Sequence, residues 1–298
     1  MYLCQLQPYS IPHVNLLNSV SIDNCIHFRR TTDEYIAFFI VKGDMYLMED
    51  DICYHLKEGD WIQLEPGKEH VGYKHSEHCT YFYIHFFIDG FSFVEMSDDA
   101  IIDQLNKNRM QALQGNKISS PILFPKIFHT RNHMAYNTVI QLLNQAQQRY
   151  NGYKEFCDIQ TSCLLVDLFV QLSHLFSNQM LSDEEKSIKR STFIVYQLLK
   201  EINYNYAEKF SSRIIERKYS SNFDYINRIF KKETGQTIFS YLTRVRITQA
   251  KILLTSGNLA VKNIATQVGY EDIYYFSNAF KKETGLSPTN YRKMIFES

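Results

Sequence analysis

Two rhythms of apolar residues divide the chain. Between residues 25 and 87 they come in short runs closed by turn residues: Tyr35-Ile-Ala-Phe-Phe-Ile-Val41, then Lys42-Gly43-Asp44, then Met45-Tyr46-Leu47-Met48. Glu58-Gly59-Asp60 and Glu65-Pro66-Gly67 bracket Trp61-Ile-Gln-Leu64, and the run 79–87 supplies another. Aromatic and β-branched residues suit a pleated surface, and short strands with regular turns predict a sandwich or barrel. After Asp98 the spacing becomes helical. Val139, Ile140, Leu143, Ala146 and Tyr150 predict one helix, and 156–176 a second. The second carries Leu164, Leu165, Val166, Leu168, Phe169, Val170 and Leu172, so it is apolar nearly all round and needs cover from the barrel, its neighbour or another subunit. A subunit interface is the expectation. The stretch 177–191 is polar and charged, as a linker would be.

The rest reads as helical and contains an internal repeat. Residues 225–235 (Tyr-Ile-Asn-Arg-Ile-Phe-Lys-Lys-Glu-Thr-Gly) recur as 275–285 (Tyr-Phe-Ser-Asn-Ala-Phe-Lys-Lys-Glu-Thr-Gly). Each closes a helix pair. In the second pair Leu259, Ile264, Ala265 and Val268 give a first helix its apolar face, and Gly269 supplies the positive φ that ends it. Asp272 is placed to cap the next helix, which buries Phe276 and Phe280 at i,i+4. Lys281-Lys282 complement its carboxyl-end dipole before Gly285 stops it. Such a pair is a helix-turn-helix, whose second member fits the major groove of DNA.

The run Ile264-Ala265-x-x-Val268-Gly269-Tyr270-x-Asp272-x-x-Tyr275-Phe276-Ser277-x-x-Phe280-Lys281-Lys282-x-x-Gly285-x-Ser287-Pro288-x-x-Tyr291-Arg292 closely resembles the signature of the AraC/XylS family of bacterial transcription regulators. Tyr241-Leu242-x-x-x-Arg246-Ile247-x-x-Ala250-x-x-Leu253-Leu254 resembles the helix that joins the two units in that family. The first unit, 214–235, is less faithful. Glu216 replaces a small residue and Ser221 an apolar one, and the turn is one residue shorter, with 14 positions from Glu216 to Phe230 against 15 from Ala265 to Phe280. Looser packing, with Glu216 turned to solvent, is expected there. The resemblance implies two recognition helices in successive major grooves, about 34 Å apart. It carries base contacts to Asp224, Asn227 and Arg228, and to Ile273, Tyr274 and Asn278. Arg228 suits guanine, and Asn227 or Asn278 adenine. Lys231, Lys232, Lys281 and Lys282 are expected on phosphates.

Charge agrees with this division. The formal net charge of zero hides 13 basic against 23 acidic residues in 1–185, a balance of −10, and 19 against 9 in 186–298, a balance of +10. A basic carboxyl half is the electrostatic footprint of a nucleic-acid binder. The six cysteines include no Cys-x-x-Cys pair, so neither a disulfide framework nor a thiolate zinc site is suggested. No signal-like amino terminus appears, and apolar runs such as 35–41 fall far short of a membrane span, so a soluble cytoplasmic protein is expected.

Gly59-Asp60-x-x-x-x-x-Pro66-Gly67-x-x-His70, followed by Tyr81-Phe-Tyr-Ile-His-Phe86, resembles the cupin-like sensing domain of the same family. That resemblance implies a pocket for a sugar or related metabolite. Strand alternation sets Tyr81, Tyr83 and His85 on one face, with Phe82, Ile84 and Phe86 on the other. Arg29, His70, Tyr81 and Tyr83 are the ligand candidates, with Trp61, Tyr46 and His27 as supplements. His70, His75, His78 and His85 lie close in sequence, but no His-x-His pair occurs, so no metal is expected. No nucleophile elbow, phosphate loop or paired-carboxylate motif points to an enzyme, and no cofactor is implied.

The fold class expected is therefore multidomain α+β. A cupin-like barrel (1–98) precedes a helical dimerisation segment (99–178), a linker (179–191) and an all-α domain with two helix-turn-helix units (192–298). The expected partners are double-stranded DNA, a sugar-like small-molecule effector, a second copy of the chain and RNA polymerase. Two rivals stay open: a regulator governed by a protein partner or its own abundance, and a metal cupin enzyme fused to a DNA-binding tail.

Overall fold

A computed structural model describes residues 1–113, 120–130, 132–183, 190–255 and 259–296. The chain divides into two compact units, residues 1–108 with 118–185, and 109–117 with 186–298.

The first unit contains β1 (Tyr2–Leu6), β2 (His13–Cys25), β3 (Tyr35–Lys42), β4 (Asp44–Glu49), β5 (Ile52–Lys57), β6 (Asp60–Leu64), β7 (His70–Gly72), β8 (Ser76–Phe87) and β9 (Phe91–Glu95). Helix α1 (Asp98–Leu113) begins in this unit and ends in the other; then come β10 (Ile122–Pro125), β11 (Ile127–His129), α2 (His133–Tyr150) and α3 (Cys157–Asp183). Three sheets form, ordered β10-β1-β9, β11-β6-β3-β8-β2 and β5-β4-β7. Among the described residues their ladders do not close into one ring.

Strand β3 lies at the centre of the five-stranded sheet and is covered on both faces, which accounts for its unbroken apolar run. Ala37 and Phe39 face a core shared with Phe82, Ile84 and Phe86, while Ile36, Phe38 and Ile40 face a second cluster with Met45, Leu47 and Tyr81. The α2–α3 hairpin closes the first core with Val139, Leu143 and Ala146 from α2 and Leu165, Leu168, Phe169, Leu172 and Phe176 from α3. By length and composition alone α3 could cross a membrane. Burying that apolar face here removes it from water at about 25 cal/mol per Å².

The segment 99–178 is not wholly helical, because β10 and β11 return to pair with β1 and β6. At four and three residues these strands are too short to show an alternation. Lys126, between them, is buried and ion-paired with Glu49 and Glu65. The expected linker is also shorter than 179–191. Helix α3 continues to Asp183 and α4 begins at Arg190, while 184–189 lie outside the described residues.

The second unit holds α4 (Arg190–Asn205), α5 (Ser212–Tyr219), α6 (Phe223–Thr234), α7 (Ile238–Thr255), α8 (Val261–Gln267), α9 (Ile273–Thr284) and α10 (Pro288–Phe296). It has two cores. One gathers Val195, Leu198 and Ile202 of α4 with Ile215, Ile226 and Phe230; the other gathers Ile264, Ala265, Val268, Phe276 and Phe280. Helix α7 belongs to both, giving Ile238, Tyr241 and Leu242 to the first and Ile247, Ala250 and Leu254 to the second.

Candidate nucleic-acid interface and ligand cavity

Helices α6 and α9 carry the same pattern of burial. Ile226 and Phe230 in one, and Phe276 and Phe280 in the other, are fully buried, so the opposite face is turned out. On α6 that face presents Asp224, Tyr225, Arg228, Lys231 and Lys232, and on α9 Tyr274, Tyr275, Asn278, Lys281 and Lys282. Most of the sequence-derived candidates thus share one face of their helix. Ile273 is half-buried. Asn227 departs from expectation: it turns inward, and its Oδ1 accepts the backbone N–H of Ile238 at 3.0 Å, capping α7. Tyr225 and Tyr275, 40% and 72% exposed, stand on the same face beside the residues that the resemblance carries over. Their signal lay in the spacing, since each is three residues before Arg228 or Asn278. The Arg228 guanidinium lies 5.7 Å from the Tyr225 ring centroid.

The two outward faces are set by different turns. In the second unit Gly269 ends the first helix at φ 87°, and Asp272 Oδ1 accepts from the N–H groups of Tyr274 and Tyr275 at 2.6 and 3.0 Å. Leu259, expected on α8, lies before it; its carbonyl accepts from Arg292 at 2.6 Å. In the first unit Ser220 takes the left-handed conformation at φ 47°. Two side chains share the capping: Asn222 accepts from Asp224 N–H, and Glu216 from Phe223 N–H, both at 2.8 Å. Glu216 therefore does not point to solvent. Where the second unit uses one aspartate, the shorter turn draws the longer glutamate into the gap.

The repeated Lys-Lys-Glu-Thr-Gly forms the same helix end twice. Gly235 and Gly285 adopt φ 76° and 81°, and their N–H groups reach the carbonyls of Lys231 and Lys281 at 2.9 and 2.8 Å. Thr234 and Thr284 hydroxyls donate to Phe230 and Phe280 at 2.8 Å. The pentapeptide ends each helix and sets its two exposed lysines in the last turn.

In the amino-terminal unit a cavity of about 280 Å³ opens beside the five-stranded sheet. His70, Tyr81 and Tyr83 line it, as does His27. Arg29 does not. Its guanidinium pairs with Glu69 at 2.5 Å on the surface, and the neighbouring Arg30 takes the place on the cavity wall. Trp61 is fully buried on the other side of the sheet, and Tyr46 stacks on His55. Burial, reinforced by the neighbouring positive groups, pushes the pKa of His27 and of His70 down to about 4, so both are neutral at pH 7. Burial raises Tyr81 to about 12. A wider cavity of about 700 Å³ lies between Tyr2, Lys126 and Met180. Of the four clustered histidines, His75 contacts the Asn24 carbonyl, His78 Asp23 and His85 Glu34, and no metal-holding group forms among the described residues.

Residues 219–294 match the family model described as a helix-turn-helix domain. The chain is 25% identical to the HTH-type transcriptional regulator YisR of Bacillus subtilis, over 90% of this chain and 89% of YisR. It is 32% identical to the Msm operon regulatory protein of Streptococcus mutans, over 43% of this chain and 46% of that protein. It is 27% identical to the HTH-type transcriptional activator RhaR of Salmonella dublin, over 55% of this chain and 57% of RhaR. The chain thus spans about half the length of the latter two. With paired helices on a shared connector, the match over residues 219–294 and these relatives, the chain is a DNA-binding transcription regulator that carries an AraC-type helix-turn-helix domain.

Proposed function

We propose that the chain is an effector-responsive activator that reads two adjacent major-groove segments of a promoter. The observation that carries this reading is the matched outward faces of α6 and α9 on one connector, α7, that is part of both cores. Arg228 and Asn278 supply base discrimination, each about 1–3 kcal/mol, with guanine and adenine as their natural partners. Tyr225, Tyr274 and Tyr275 add aromatic surface for sugar edges and thymine methyls. The four lysines at the helix ends neutralise phosphates. Asn227 positions α7 and is left out of this assignment. Activation through RNA polymerase is favoured over repression because RhaR, among the relatives, is described as an activator.

The amino-terminal unit acts as the sensor, a cupin-like barrel whose 280 Å³ cavity holds a small metabolite of sugar size. Helix α3 pairs two copies through its outer side, where Ile159 is 54% exposed. The paired chains work in the cytoplasm on paired DNA sites.

Selection of binding sites from random duplex DNA by the full-length protein tests the central reading. Two conserved segments centred about one helical turn apart are expected, with affinity falling steeply as salt rises. Enrichment of a single segment, or none, refutes tandem reading.

A further inference from the structure

The cavity wall has an unusual balance of hydrogen-bonding groups. It contains Arg30, three imidazoles (His27, His70, His85) and two phenols (Tyr81, Tyr83), and no Asp, Glu, Asn or Gln. Guanidinium groups only donate, and neutral imidazole donates as readily as it accepts. A neutral sugar presents many hydroxyl donors and is normally met by carboxylates or amides. This wall is rich in donors and poor in such acceptors.

Arg30 is held in place by its backbone. Its N–H donates to the His70 carbonyl at 2.9 Å and its carbonyl accepts from His70 at 2.8 Å, which fixes the two side chains together at the cavity. Its guanidinium approaches Glu34 only to 3.7 Å, beyond hydrogen-bond length. Glu34 is already engaged by His85 Nδ1 at 2.8 Å and Asn15 Nδ2 at 2.7 Å. The Arg30 fork therefore keeps donors to offer. Beside it, His27 Nε2 is buried with no hydrogen-bond partner among the described residues, and in the tautomer that protonates Nε2 it offers a donor to an entering group. Phe38, in edge contact with both His27 and Tyr81, forms an apolar floor.

We infer that the cavity binds a small organic carboxylate, with its acid group between Arg30 and His27 and its body against Phe38, Tyr81 and Tyr83. A planar guanidinium meets a carboxylate through two parallel N–H···O bonds, the match that a neutral hydroxyl lacks. The volume of about 280 Å³ lies at the small end of ligand sites and suits a single-ring acid of about nine to thirteen non-hydrogen atoms. A sugar acid and an aromatic acid share this chemistry. The inference rests on the sensor reading above and narrows its effector to an anion.

The test is calorimetric titration of the full-length protein in carboxylate-free buffer with galacturonate, benzoate and their neutral counterparts, galactose and benzyl alcohol. At least one acid is expected to bind at least tenfold more tightly than its counterpart, and Arg30→Met to abolish that preference. Arg30→Lys, which keeps the charge and loses the fork, is expected to fall between them, and it stands in if Arg30→Met fails to fold. Which acid binds distinguishes the sugar source from the aromatic one. A neutral counterpart that binds as well as its acid, with Arg30→Met silent, overturns the anion and leaves the sensor standing. No heat from any of the four at millimolar concentration, with DNA binding intact, overturns both.

Discussion

Glu216 and Phe223 are joined across the first helix-turn-helix by a 2.8 Å hydrogen bond from the Phe223 N–H to the glutamate side chain. The main-chain carbonyl of Glu216 also accepts from Ser221 at 3.4 Å, so one residue braces the turn from both ends. Removing an N-terminal cap typically costs about 1 kcal/mol. Glu216→Ala is therefore expected to lower unfolding free energy by about that amount, and Glu216→Gln, which keeps an acceptor oxygen, by less. Chemical denaturation of both variants checks this; equal stability for all three proteins would remove the bracing role.

Gly269 and Gly285 both adopt positive φ, yet their surroundings differ. A Cβ on Gly269 would come within 2.6 Å of the Ala207 carbonyl oxygen, whereas one on Gly285 meets nothing within 4 Å. Gly285→Ala is expected to cost the conformational strain alone, about 1 kcal/mol. Gly269→Ala adds a backbone clash and is expected to cost more, about 2–3 kcal/mol, and to weaken DNA binding by disturbing the entry to α9. Paired melting curves and gel shifts measure the difference.

Base choice and phosphate attraction separate by substitution. Arg228→Ala or Asn278→Ala is expected to relax sequence preference by about 1–3 kcal/mol at one base position. Lys282→Ala is expected to weaken specific and non-specific DNA alike and to reduce the slope of log affinity against log salt by about 0.9. Asn227→Ala, by contrast, is expected to lower stability by about 1 kcal/mol while leaving base preference unchanged, because its Oδ1 serves α7. Titrations on matched and mismatched duplexes at several salt concentrations distinguish all four.

Acid weakens the amino-terminal unit in a defined window. His27 and His70 drop from 6.5 to about 4 on folding, because burial disfavours their charged forms. Below pH 6.5 the unfolded chain takes up protons that the folded unit refuses, so stability falls with pH until about 4, where the native histidines also protonate. His27 faces His70, Arg30 and His85, and His70 faces Arg30, His85 and Glu69, so most of their charged neighbours oppose protonation. His70→Gln is expected to flatten the pH dependence of melting between 6.5 and 4. An unchanged slope would assign the acid sensitivity elsewhere.

Elements with strong periodicity were legible in the sequence. The runs that became β3, β4, β6 and β8 are dense in aromatic and β-branched residues, and the α9 signals at Asp272 and Gly285 are local capping chemistry that needs no tertiary context. Strand β2 was not legible. Of its thirteen residues only Leu17 is buried, a register shift between Val14 and Leu16 interrupts the alternation that Val20 and Ile22 keep, and the pairing with β8 that defines the strand is a long-range event. The inward turn of Asn227 and the capping by Glu216 were hidden for a related reason. Each depends on where a backbone N–H from another element arrives. The exchange of Arg29 for Arg30 reflects strand parity, because the bridge between Arg30 and His70 decides which neighbour faces the cavity.

A helix that is a wall of two cores cannot turn for one without disturbing the other. In the proposed tandem reading, α6 and α9 on their shared α7 therefore act as a fixed gauge, and adjustment between them falls to the DNA. Base pairs between the two contacted segments then matter through the ease with which they bend or twist, even though no side chain touches them. A promoter could lose recognition by a change in its untouched spacer, with every contacted base intact.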